Sequence, residues 1–169
     1  MSRELESYNQ RVIAAFRANG GSDDPGLDLL LLHHIGARSG RERVTPLAYW
    51  RIDDITVAVL ASNRGAPKHP DWYHNLVANP DAKTEIGTET FLARARVAAA
   101  NERNKLLRRI VEQTPSVSAA LNRTPREIPV VLLELRTDGR RLARGYRRAR
   151  CDRSARRRRS SARNRVTRY

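Results

Sequence analysis

Ala61-Ser-Asn-Arg-Gly-Ala-Pro-Lys-His-Pro-Asp-Trp-Tyr-His-Asn75 joins three local patterns in one stretch. Before it runs a strand-like segment, Ile55 to Leu60. The chain then turns on Gly65, Pro67 and Pro70. A short helical pattern follows from Asp71 to Asn79 and is ended by Pro80. A strand that breaks into small residues and then starts a helix gathers unpaired backbone N–H groups in one place. Such a place suits an anion or the polar edge of a flat ring. Lys68 adds charge, and Trp72 and Tyr73 add flat apolar surface with a polar handle. Taken alone, the stretch reads as a surface loop leading into a helix cap.

Working outward, Leu27–Ile35 is a buried strand candidate, 36–40 its turn and Arg43–Ile52 its partner. Asp53-Asp54 turns the chain into the strand before the quoted stretch, so three strands form an antiparallel meander. Lys83–Gly87 and Thr90–Ala98 read as a hairpin around Gly87-Thr88. Asn101 is placed to cap a helix from Glu102 to Gln113. Ser116–Arg123 suggests a further helical turn, and Pro129–Leu135 is a last strand rich in Val and Leu. Leu5, Tyr8, Val12, Ala15 and Phe16 recur at helical spacing between Arg3 and Asn19, and Gly20-Gly21 stops that helix. It is read as packed on the sheet, with a lid or a membrane-surface contact as the sharper alternative. Ser22 to Gly26 is a loop. Six short strands with few helices fit a small closed or half-open barrel.

At 169 residues the chain suits one domain with a real core. No apolar run is long enough to cross a bilayer, and the polar start is no signal peptide. Cys151 is the single cysteine, so no internal disulfide forms, and a cytoplasmic location is the expectation. Residues 136–169 hold fifteen arginines against Asp138 and Asp152. That stretch accounts for +13 of the formal +15, leaving +2 on residues 1–135. The basic character therefore belongs to a tail. With almost no large apolar residue, 136–169 is expected to be disordered. It is a nucleic-acid-binding arm or an extension without function, such as an out-of-frame translation, and the second is preferred.

The quoted stretch, with Gly36-Ala-Arg-Ser-Gly-Arg-Glu-Arg-Val-Thr-Pro46 before it and Arg126-Glu-Ile-Pro-Val-Val-Leu-Leu-Glu134 after it, resembles the deazaflavin-dependent nitroreductase family. These are small split-barrel proteins of actinobacteria that use reduced coenzyme F-420. The likeness runs from the N-terminal helix to Leu135. It implies a mainly β protein with flanking helices (α+β), a split β-barrel of about six antiparallel strands of the FMN-binding kind. Residues 1–135 would be the deazaflavin-binding domain. The resemblance places Arg38 and Arg43 on the phosphodiester and glutamate tail of the coenzyme. A tight arginine turn with Ser39 suits such anions, since guanidinium binds them in a bidentate way. Where this chain has Ala37, many relatives have another basic residue. The resemblance lines the deazaflavin ring with Thr45, Pro46, Ala61, Ser62, Gly65, Ala66, Pro70, Trp72 and Asn75, and Lys68 adds charge beside it. Small residues let the backbone approach a flat ring. Arg64 stands where relatives commonly have glycine, which puts the fit around the ring in question.

The implied reaction is hydride transfer from reduced deazaflavin to an electrophilic organic acceptor, a quinone, an activated alkene or a nitro compound. Ala120 stands where nitroreductases of the family often have tyrosine, so nitro reduction is not singled out. FMN is the second-ranked cofactor. A homodimer is the expected partner state, and the N-terminal helix is the expected point of any contact with the inner membrane face. A non-catalytic carrier of F-420, flavin or lipid is the rival reading. A nucleic-acid binder led by the tail is the third, although no aromatics interleave its arginines. His33 and His34 are neighbours on a strand and face opposite ways, and His69 and His74 lack a third ligand, so no metal site is expected. No P-loop, Gly-x-Ser-x-Gly or dinucleotide glycine fingerprint occurs.

Overall fold

A computed structural model describes residues 3–21 and 27–136 of the chain. The loop 22–26 and the tail 137–169 lie outside the described residues. The described part contains helix α1 (Arg3–Ala18), strands β1 (Leu29–Ile35), β2 (Glu42–Arg51) and β3 (Thr56–Leu60), helix α2 (Asp71–Ala78), strands β4 (Asp81–Ile86) and β5 (Glu89–Val97), helices α3 (Ala100–Gln113) and α4 (Ser116–Leu121), and strand β6 (Val130–Arg136). A single 3₁₀ turn, Asn63–Gly65, interrupts the quoted stretch.

The strands close into an antiparallel barrel in the order β1-β2-β3-β6-β5-β4. The first meander is as the turn residues imply. The return to β3 is not local: β6 pairs along the whole of β3, from Thr56 opposite Glu134 to Leu60 opposite Val130. β2 is shared unevenly. It pairs with β1 over Glu42–Ala48 and with β3 only at Tyr49–Arg51. Among the described residues its first half therefore has a strand on one side only. A proline is tolerated at Pro46 for that reason, because a strand interior between two partners would miss its N–H.

Alternation divides the apolar residues between two surfaces. Leu30, Leu32, Val57, Val59, Val131 and Leu133 are fully buried. On the opposite faces of the same strands, Trp50, Ala58, Val130 and Leu132 pack against Leu106 and Ile110 of α3. The indole N–H of Trp50 donates to Thr114 Oγ1 at 3.1 Å and fixes the end of that helix. Each large side chain buried this way contributes about 1.5–3 kcal/mol.

α1 packs on the outside of β1 and β2 through Ile13 and Phe16, which meet Leu31, Leu29 and Val44. The expected stripe included Tyr8; the buried stripe is Asn9, Ile13 and Phe16. Tyr8 points outward instead, and the Arg64 guanidinium lies 4.7 Å from its ring centroid. The apolar face of α1 is thus used on the barrel. Among the described residues no helix is long and apolar enough to cross a membrane. Gly21 ends the helix at φ +84°, and a Cβ there would collide with the Gly87 backbone at 2.2 Å. The predicted cap of α3 is corrected: the helix starts at Ala100, Ala99 is its cap residue, and Asn101 lies inside it.

Candidate functional site

The turn between β1 and β2 is closed by the backbone. Gly36 N–H donates to the Arg41 carbonyl at 2.9 Å, and Gly40 N–H donates to the Gly36 carbonyl at 2.8 Å. Arg38, Ser39, Arg41 and Arg43 are all exposed there. Among the described residues none of these three arginines meets a carboxylate. By contrast Arg17, Arg94, Arg96, Arg103 and Arg136 each do. A turn that leaves three guanidiniums unneutralised has the charge and geometry to suit a multiply charged anion. Arg41 was not singled out in the sequence; its spacing in Arg41-Glu-Arg43 was the available signal.

Arg126 makes the most side-chain contacts that hold the quoted stretch among the described residues. Its Nε donates to the Ala66 carbonyl at 2.9 Å, and its Nη2 donates to the carbonyls of Ala61 at 3.1 Å and Ser62 at 2.9 Å. Its Nη1 donates to His69 Nδ1 at 2.8 Å and to the Glu127 carbonyl at 3.3 Å. One planar fork thus ties both ends of the loop to the segment before β6. His69 is held as an acceptor. Burial, then the charges of Arg126 and His74, lower its pKa. Arg126 carries no role in the sequence reading, because most of its loop partners are main-chain carbonyls some sixty positions away.

Inside that frame the backbone is strained. Asn63 and Arg64 have φ of +47° and +55°, a region that disfavours side chains other than glycine. A glycine at the Arg64 position, as the family resemblance implies for relatives, would adopt this conformation without a side-chain cost. The Arg64 side chain turns toward Tyr8. Gly65, at φ +84°, leaves no room for a Cβ, which would lie 2.7 Å from Arg123 Cβ. The turn therefore rests on the end of α4, and the Ala120 carbonyl is 3.7 Å from the same point. Ser62 and Ala66 are half-buried, and Lys68 is exposed. Pro70 caps α2, and Ala61, Pro70 and Trp72 are buried. Thr45 and Pro46 are neighbours on β2 and face opposite ways. Pro46 sits opposite Leu31 in the register, on the side toward α1, and Thr45 sits opposite Leu32.

Asn75 links the two halves. Its Oδ1 accepts the Ala37 N–H at 2.8 Å and its Nδ2 meets His34 Nδ1 at 3.0 Å. His34 Nε2 meets Thr45 Oγ1 at 3.1 Å. His34 is 2% exposed. Burial first, then the charges of Arg43 and His33, push its pKa down to about 4, with Asp71 opposing.

His34 makes stability sensitive to acid. The unfolded chain binds the proton near pH 6.5 and the folded chain near 4. Stability is therefore complete above 6.5 and falls as pH drops toward 4, by on the order of 3 kcal/mol in full. Denaturant midpoints between pH 7 and 4.5 check this: wild type is expected to lose more than His34→Gln, and equal losses refute it. Glu85, Glu42 and Glu102 titrate low because of Arg17, His33 and Arg96 respectively. Their share goes the same way but only below about their ordinary range.

The family model described as F420H(2)-dependent quinone reductase matches residues 7–135. The chain belongs to that family. Two Mycobacterium tuberculosis proteins that carry the family name are 39% and 37% identical over 107 and 110 residues. Each alignment covers 63% of this chain, with 89% and 73% of the respective relative. A solved F-420-dependent reductase is 34% identical with a TM-score of 0.56, covering 63% of this chain and 93% of that one. A second solved relative, described as a domain-swapped dimer, is 29% identical with a TM-score of 0.59, covering 77% and 96%. The protein of this family is thus an oxidoreductase that uses reduced coenzyme F-420, on the split barrel that its sequence implies. The donor set fits that coenzyme: unneutralised arginines at one turn suit its anionic tail, and a half-buried loop of small residues suits its ring.

Proposed function

We propose that this reductase passes its hydride to a quinone, and that the coenzyme lies between the 36–43 turn and the 61–75 loop. The observation that carries the placement is the cluster of uncompensated guanidiniums on Arg38, Arg41 and Arg43. Bound reduced F-420 supplies the hydride. The chain supplies position. The arginine turn, with Ser39, holds the charged tail away from the reacting ring. Arg126 takes up the carbonyls of Ala61, Ser62 and Ala66, so the loop cannot turn them toward the ring. Thr45, Ser62, Gly65 and Ala66 form the ring side, with Ala61, Pro70, Trp72 and Asn75 as the buried support behind them. Lys68 adds a cation at the rim.

α4 has no aromatic residue, and its position against Gly65 puts Ala120 beside the ring side of the loop. A pocket without a phenol donor there favours an acceptor whose reduced form takes protons from water, as a quinol does. Pairing into a homodimer is part of this reading, supported by the relative solved as a domain-swapped dimer. Oxidation of reduced coenzyme, followed by absorbance with quinones, nitroaromatics and activated alkenes in parallel, tests the acceptor. Quinones are expected to turn over fastest. Turnover of nitro compounds or alkenes with none on any quinone overturns the assignment.

A further inference from the structure

Asn75 was expected on the ring, yet both of its polar groups are engaged inside the protein, and what they engage has a direction. The Ala37 N–H can only donate, so it faces the Asn75 oxygen. That leaves the Asn75 NH₂ facing His34 Nδ1. An NH₂ only donates, so Nδ1 carries a lone pair and the single imidazole proton sits on Nε2. Nε2 faces Thr45 Oγ1, which must accept. The Thr45 hydrogen then points away from His34, and among the described residues it meets no acceptor. Each link follows from the one before, starting from a backbone amide that has no alternative role.

We propose that the Ala37–Asn75–His34 chain fixes the Thr45 hydroxyl as a hydrogen-bond donor toward a carbonyl oxygen of the bound deazaflavin ring. The inference rests on the coenzyme placement given above. It makes His34 and Asn75 positioning residues that act through Thr45. Without the relay, a threonine hydroxyl rotates and serves equally as donor or acceptor. With it, a ring carbonyl is favoured at that point and a ring N–H is disfavoured, since two donors would face each other. The relay is buried, with Asn75 8% exposed and His34 2%, so water cannot reset its direction. Thr45 itself is half-buried, two residues along the same strand face from Arg43. The hydroxyl and the arginine turn thus read one ligand from one strand.

Two measurements on the full chain test this. Nitrogen chemical shifts of His34 at neutral pH, without coenzyme, are expected to show a protonated Nε2 and a bare Nδ1. The reverse tautomer, or an imidazolium, overturns the relay. Equilibrium titration with F-420 is expected to show Thr45→Val binding roughly fivefold to tenfold more weakly than wild type, and Thr45→Ser within about twofold of it. The same His34 tautomer is expected in both variants, because it is set from the Asn75 side, and this also confirms that they are folded. If Thr45→Val binds as tightly as wild type, the donor role is wrong while the coenzyme placement stands. If wild type fails to bind F-420 while the tautomer is as expected, the placement fails and the donor role with it.

Discussion

Arg126→Ala is expected to lower the melting temperature by on the order of 10 °C and to weaken F-420 binding at least tenfold. The change removes five donor contacts at once and leaves the carbonyls of Ala61, Ser62 and Ala66 to find water or each other. Charge-assisted hydrogen bonds are worth about 1.5–3 kcal/mol each, but they are not additive on one side chain, so about 2–4 kcal/mol is the reasonable total. For a domain of this size each kcal/mol moves the midpoint by a few degrees. Arg126→Lys separates geometry from charge. An ammonium keeps the charge but cannot span three carbonyls and a histidine from one plane. It is expected to recover little of either loss. Thermal melts with and without saturating coenzyme check both parts. An alanine variant that melts and binds like wild type refutes the organising role.

Replacing Arg38, Arg41 and Arg43 together by alanine is expected to weaken F-420 binding on the order of a hundredfold or more. Fold stability should change little, because none of the three is paired with a carboxylate among the described residues. Single changes are expected near tenfold; their exposure keeps each at the low end of a charged contact. In the proposed placement these groups hold the coenzyme tail, remote from the hydride, so their contacts would be the same before and during hydride transfer. The rate at saturating coenzyme should therefore stay within a few-fold of wild type while affinity falls. Added salt should reproduce part of the loss in wild type and less of it in the triple variant. Single-turnover mixing over a range of coenzyme and salt concentrations separates these. Unchanged affinity in the triple variant refutes the placement of the tail at this turn.

The strands and their turns were legible in the sequence because period-two alternation and turn residues are local signals. Each strand lies within two residues of its expected bounds. What was not legible is long-range. Nothing in 56–60 announces that β6 rather than a nearer strand lies beside it. Tyr8 fits the helical period of α1 as well as Ile13 does, and only docking on Leu31 chooses between them. Asn101 is a good cap residue, but the chain enters the helix earlier, at Ala100. The opposite facing of His33 and His34 followed from strand geometry. His33 meets Glu42 and Glu85, whereas His34 turns to Asn75 and Thr45. That Arg126 organises the loop was hidden for a physical reason: apart from His69 its partners are main-chain carbonyls, which every residue has, so no residue type marks them.

Among the described residues, the first half of β2 leaves a row of main-chain groups without a neighbouring strand. Such an edge is where one polypeptide recruits another and where fibrils begin. This one carries the devices that block it. Pro46 withholds an N–H in the middle of the row, and the charges of Arg41, Glu42 and Arg43 crowd its start. A foreign strand needs an unbroken ladder over several residues. The same edge is thus poorly suited to a foreign peptide, and the closed barrel can carry it without inviting self-association through strand addition.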